Sequence, residues 1–261
     1  MKTLLFLLPL TFFLLTAHAA DPIVAEDDAS DGAYKSGWKA DGGGSGFSDW
    51  AFQVVHADTG DSYAGYYIAD ATGSNPECSP VAIGGKAFGL YANGVSFEVS
   101  EAFRGLKKPV AVGQTFSFLM KSGDFVKKFA TDDPGMGSVG ITLRTGNASA
   151  SADDYNKGAR FEFGSYAGKP NYQIYDGETN QDTGIPVTDG GITVSVTLVT
   201  ADAYDIEITT LADKKKTTLK GHKLGGQAGG AIESFCIFDR NGEKNDAFFN
   251  GFQVTAPPPS Q

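Results

Sequence analysis

Short runs of Val, Ile, Phe, Tyr and Thr, broken every few residues by Gly, Asp, Asn or Pro, dominate this chain of 261 residues. That is the sequence form of β-strands joined by turns. Twelve such runs stand out, at 52–56, 65–69, 87–91, 95–103, 115–121, 138–144, 159–164, 171–175, 192–199, 204–209, 234–239 and 248–255. No window carries a 3.6-residue apolar period, and the one weak helix or turn candidate is 101–106. Several runs alternate. Val139, Ile141 and Leu143 oppose Gly140, Thr142 and Arg144; Phe161 and Phe163 oppose Arg160 and Glu162; Tyr204, Ile206 and Ile208 oppose Asp205, Glu207 and Thr209. One buried face and one wet face is the antiparallel pattern. A dozen such strands predict an all-β fold, a two-sheet antiparallel β-sandwich of jelly-roll type.

The first residues depart from that pattern. Lys2, the apolar run from Leu4 to Leu15, and Ala17-His18-Ala19 have the layout of a secretory signal peptide cleaved after Ala19 or Ala20. The expected organisation is a leader at 1–20, one β-sandwich domain at 21–255 and a disordered Pro-rich tail at 256–261. The product is expected to be secreted, in the periplasm or outside the cell, as a monomer without membrane insertion. Acidic residues outnumber basic ones 31 to 21, and the net charge of −10 falls to −11 once Lys2 leaves with the leader. Nucleic acid and anionic membrane surfaces call for the opposite balance. Cys78 and Cys236 are the two cysteines. In an oxidising compartment an even pair predicts a disulfide, worth ~4 kcal/mol for so long a loop; two buried thiols is the other reading.

Three groups of residues carry candidate chemistry. Trp38 and Trp50, the only tryptophans, flank the glycine-rich stretch 42–46. Exposed, with Tyr91, Tyr172, Gln173 and Tyr175, they would stack on sugar rings and bond their hydroxyls; buried, they would brace a core. Asp239, Asn241, Glu243, Asn245 and Asp246 pack oxygen donors into eight residues, and Asp27 and Asp28 stand near the other terminus. If the termini are adjacent, Asp27, Asp28, Asp239, Asn241 and Asp246 form a possible structural Ca2+ site, although the loop lacks EF-hand spacing. Without an ion, the loop is a polar hairpin of Asx turns. Arg144, Arg160, Glu162, Gln173 and Tyr175 fall on polar strand faces. On one concave sheet they would form a catalytic set in which arginine neutralises a uronate and tyrosine abstracts a proton. A Glu162–Glu207 pair about 5 Å apart would instead serve glycoside hydrolysis. A solvated sheet face is the plain alternative. Asn147-Ala148-Ser149 fits a glycosylation triplet. No nucleophile elbow, Walker loop or His-Glu-x-x-His occurs.

The order Asp27-Asp28-Ala29-Ser30, Tyr34, Gly37-Trp38, Gly43-Gly44, Gly46-Phe47 and Trp50 resembles the opening of a group of exported bacterial domains. These are concanavalin A-like lectin/glucanase jelly rolls. The likeness continues through Ala87–Tyr91, Val139–Arg144, Phe161-Glu162-Phe163 and Asn171–Ile174 to Asn245–Asn250. It implies a fold whose members bind or cleave polysaccharides, often with a structural calcium. The chain departs from the catalytic signatures of that superfamily. No Glu-x-Asp-x-Glu strand is present, Arg160-Phe161-Glu162 lacks a second arginine, and Gln173-Ile174-Tyr175 has tyrosine where lyase-like members carry histidine. The expected function is therefore lectin-like binding of a polysaccharide or glycan without chemistry. A glycoside hydrolase or polysaccharide lyase, or a structural surface protein, are the alternatives.

Overall fold

The computed structural model describes residues 22–56, 60, 62–93, 98–122, 137–146, 158–176, 180–241 and 246–257. The expected leader, the Asn147 triplet, Glu243, Asn245 and the end of the tail lie outside them. Among the described residues no helix is long and apolar enough to cross a membrane.

Two antiparallel sheets make the fold. The first has the order β13 (Lys216–Lys223), β12 (Ala203–Thr210), β11 (Ile192–Thr200), β6 (Thr115–Lys121), β15 (Ala247–Thr255), β4 (Lys86–Asn93), β3 (Tyr63–Asp70), with β1 (Ile23–Asp27) also paired to β15. The second has the order β10 (Asn180–Pro186), β9 (Asn171–Tyr175), β8 (Ala159–Tyr166), β7 (Ser138–Arg144), β14 (Ile232–Arg240), β5 (Val99–Val110), β2 (Phe47–Val55). Consecutive strands repeatedly lie in different sheets, which is what a jelly roll requires. The expected two-sheet antiparallel sandwich is the observed fold.

The alternation read from the sequence sorts the side chains. Phe116, Phe118, Val139, Ile141, Phe161, Phe163, Val194, Ile206, Phe235 and Phe249 meet in one core between the sheets. A smaller cluster of Ala69, Cys78, Val81, Ala87 and Phe248 lies on the outer side of the first sheet, under the 3₁₀ turn Pro76–Val81. Residues 101–106, the weak helix candidate, continue strand β5.

The first and last strands close the sandwich. Ile23–Asp27 pairs with β15, setting Asp27 opposite Phe252. Asn250 pins this seam. Its side-chain oxygen accepts the Ala29 N–H at 2.9 Å, and its amide donates to the carbonyls of Val81 at 3.0 Å and Lys86 at 2.7 Å. Beside the seam Asp27 and Arg104 form an ion pair whose side chains are both 0% exposed. Tyr34 donates to Asp27 at 2.6 Å and accepts from Trp50 Nε1 at 3.0 Å and from the Gly43 N–H at 2.9 Å. Arg104 also donates to the carbonyls of Gly43 at 2.7 Å and Ser48 at 2.8 Å, and its guanidinium lies 4.8 Å from the Trp50 ring centre.

The glycine stretch exists for this closure. Gly44 has φ +67°, and a Cβ there would collide with the Glu26 carbonyl. Ser45 and Glu26 exchange backbone hydrogen bonds at 2.8 and 2.9 Å across that contact. Glycine permits both the left-handed backbone and the close approach.

Candidate functional site

The outer face of the second sheet gathers the polar residues that alternation leaves on it. Because Phe161 and Phe163 point into the core, Glu162 points out; because Tyr172 and Ile174 point in, Gln173 and Tyr175 point out. Register then aligns them. Thr142 pairs with Glu162, and Glu162 with Tyr175. Thr142 Oγ1 donates to Glu162 Oε2 at 3.1 Å, and the Tyr166 hydroxyl donates to Glu162 Oε1. The Tyr166 and Tyr175 rings meet with centroids 4.7 Å apart at 58°. Asn180 donates to the Tyr175 hydroxyl at 2.8 Å. Glu162, Tyr166 and Tyr175 are half-buried and Asn180 is exposed. The result is a carboxylate between two tilted aromatic rings, with an amide at its edge. Arg144 shares the face one alternation beyond Thr142, with its guanidinium 5.1 Å from the Phe103 ring centre.

The chemistry available here is limited by its electrostatics. Burial, then the adjacent Glu162 carboxylate, raises the Tyr175 phenol above its usual range. A phenol displaced that way is a poorer base near neutral pH, where proton abstraction needs a matched pKa. Glu207 lies on β12 in the other sheet, with Lys216 at 2.8 Å. The Glu162–Glu207 pair is not assembled.

Other expected residues fall elsewhere. Trp38 and Trp50 are 4% and 2% exposed and pack edge-to-face with centroids 5.0 Å apart. They are core residues that brace the seam rather than stacking platforms. A cleft of about 740 Å³ runs between the 3₁₀ turn Gly32–Ser36 and the sheet edge, but Trp38 offers it almost no surface. Tyr172 is fully buried, stacked on Phe163. Gln173 is buried and spends its amide on the carbonyls of Asn171 at 2.9 Å and Tyr172 at 3.3 Å. Tyr91 faces outward from the first sheet, near Tyr67, so it is remote from Tyr175. Arg160, at a register shift in β8, turns away from the outer face. It donates to Gln227 O at 2.6 Å, to Gly230 O and to Asp202 at 2.7 Å. That makes it a clamp on the 224–231 segment.

The expected metal ligands do not converge. Asp27 is committed to Arg104 and Tyr34, and its opposite residue, Phe252, stands six positions from Asp246, or ~20 Å along the strand. Asp28 caps its own turn, accepting from Ser30 N at 2.8 Å. Asn241 accepts the Glu98 N–H at 2.9 Å. Asp239 is fully buried beside the Ala247 backbone N–H. Desolvation, then the Asp246 charge, pushes its carboxyl well above the usual range. Asp246 accepts from Tyr67, and its carboxyl is also raised, mainly by burial. Among the described residues no three His, Cys, Asp or Glu side chains cluster to hold a metal.

The two cysteines are buried free thiols. Cys78 sits under the turn outside the first sheet, whereas Cys236 lies on the outer side of the second, between Phe103 and Thr142. Both sheets separate them. Sheets stack about 10 Å apart, beyond the roughly 7 Å Cα reach of a disulfide.

No protein-family model matches the chain, and no curated protein does. Solved structures do. The exoplasmic/lumenal domain of VIP36 in its Ca2+/Man3GlcNAc-bound form is 7% identical with a TM-score of 0.45, over 81% of this chain and 86% of that one. A carbohydrate esterase from the Shiga toxin-encoding bacteriophage phi24B is 10% identical with a TM-score of 0.45, over 80% and 90%. A legume lectin-like domain from Entamoeba histolytica is 10% identical with a TM-score of 0.43, over 74% and 90%. The architecture assigned above rests on the strand order itself.

Tyr166, Thr142 and Asn180 join the site without having been expected there. Tyr166 lies four residues beyond Glu162 on the same strand, so extending the alternation of 159–164 by two residues reaches it. Asn180 belongs to β10, whose polar sequence NQDTGIP carries no strand signal.

Proposed function

We propose that this chain is a carbohydrate-binding β-sandwich that holds a glycan against the outer face of its second sheet, without cleaving it. The observation that carries the reading is the Tyr166–Glu162–Tyr175 group with Asn180. Two half-buried aromatic rings offer apolar faces to sugar C–H groups. Glu162 and Asn180 offer an acceptor and a donor to hydroxyls. Burial and the neighbouring Glu162 raise the Tyr175 phenol above its usual range, which favours binding over cleavage. Export through the 1–20 leader belongs to the same proposal, since it would place the site where polysaccharides are met.

Glycan-array binding tests the proposal. The wild type is expected to bind at least one glycan class, and Tyr175→Ala or Tyr166→Ala to weaken it about tenfold or more with an unchanged melting temperature. Wild-type protein that binds nothing while folded refutes it. Product release from a bound polysaccharide would replace binding with the enzymatic alternative.

A further inference from the structure

An acidic chain carries one strongly basic edge. Residues 214–223, KKKTTLKGHK, hold five lysines and no acid, in a protein with 31 acidic residues and 21 basic ones. They span the turn before β13 and β13 itself, the outermost strand of the first sheet. Alternation is kept: Leu219 packs toward the core, while Lys216, Lys220 and Lys223 are exposed. Lys216 is paired with Glu207 at 2.8 Å. Lys214, Lys215, Lys220 and Lys223 form no ion pair among the described residues.

Lysines on an edge strand also discourage pairing with other chains, and that role needs no ligand. A second observation points to one. Beside the lysines a groove of about 410 Å³ opens between the edges of the two sheets. Thr183 and Pro186 of β10 form one wall and Thr210 and Thr217 of β12 and β13 the other, with Ile208 beneath; Lys215 stands on the rim beside Asp213, whose carboxylate is taken up by the Thr210 hydroxyl and the Lys215 N–H. Hydroxyl walls, an apolar surface and a cation at the rim match a sugar ring that carries an acid group. The ring C–H face meets Ile208 and Pro186, its hydroxyls meet the threonines, and its carboxylate or sulfate meets Lys215. Lys216, Lys220 and Lys223 alternate onto the outer side of β13, across the sheet edge from the groove, where a polymer leaving the groove would meet them.

We infer that the β13 edge and its groove are a second glycan site, specific for anionic polysaccharide of the uronate or sulfated class. That the partner is a sugar rests on the reading above; the basic edge does not. Nucleic acid fits less well, because no aromatic side chain lines the groove to stack a base.

The test is retention of the full chain on immobilised polygalacturonate, heparin, dextran and duplex DNA as salt is raised toward about 1 M, where screening shortens to about 3 Å. Retention on polygalacturonate or heparin but not on dextran, lost with salt, is expected. Lys215→Gln/Lys220→Gln/Lys223→Gln should weaken it about tenfold, three exposed ion pairs together, with an unchanged melting curve. Tyr175→Ala should leave this retention intact, which separates the edge from the sheet-face site. Equal retention on DNA, equal retention on dextran, no wild-type retention, or a triple variant that binds like wild type each overturns the inference.

Discussion

Removing the Asp27 carboxylate should be among the most damaging single changes in this fold. Asp27→Asn keeps the shape of the side chain but leaves Arg104 as a buried cation without its counter-charge. Both side chains are 0% exposed, so water cannot take over the role of the lost partner. Breaking such a pair from one side costs about 3–5 kcal/mol. For a domain of this size, roughly 2–4 °C is lost per kcal/mol, which gives a fall of roughly 6–20 °C. Tryptophan fluorescence is the natural probe, since Trp50 lies under the Arg104 guanidinium. A double variant, Asp27→Leu with Arg104→Met, removes both charges. It should cost less than the sum of the two single changes, because neither leaves a buried ion behind. It should not reach wild type, because the Gly43 and Ser48 carbonyls lose their donor. An Asp27→Asn variant within about 1 kcal/mol of wild type, or strictly additive single changes, would refute the claim that a charged pair holds this seam.

Four further outcomes follow from individual residues. Asn250→Ala strips partners from one N–H and two carbonyls at the seam, and should cost roughly 3 kcal/mol in urea unfolding. Gly44→Ala forces a left-handed, collision-bound position and should lower the melting temperature more than Gly32→Ala, whose surroundings are open. Asp239 has a raised folded-state pKa, so its contribution to stability is complete below about pH 4 and declines as pH rises through the folded value; Asp239→Asn should match wild type near pH 4 and exceed it in melting temperature at pH 8. Reducing agent should leave the melting curve unchanged, and both thiols should react with a thiol reagent only on unfolding, because both are buried and burial raises their pKa.

What the sequence made readable was what repeats. Period-two alternation in 138–144 and 159–164 placed Val139, Ile141, Phe161 and Phe163 in the core and Glu162 outside it. Ile23–Asp27, Asn180–Pro186 and Lys216–Lys223 escaped for one physical reason. They lie at the margins of the sheets, where few inward positions must be apolar, so the alternation of their burial is carried by one or two apolar residues each and is hard to read. Of the two roles open to the tryptophans, stacking platforms or buried braces, the structure takes the second: their rings fill the space where the sheets close. The cysteines misled by their number. Pairing depends on which side of which sheet each residue faces, and strand order decides that. The acidic termini are neighbours by strand but not by residue, because β1 runs antiparallel to β15 and carries Asp27 away from Asp246.

Glu162, Tyr166, Tyr175 and Asn180 are proposed to form a glycan-binding face without catalysis. Titrating the glycan selected on the array against wild type and Tyr175→Ala by calorimetry tests it most directly. Saturable binding by the wild type, a loss of about tenfold or more in the variant, about 1.4 kcal/mol, and no cleavage of the glycan on prolonged incubation are expected. Equal affinity in the two proteins would contradict it.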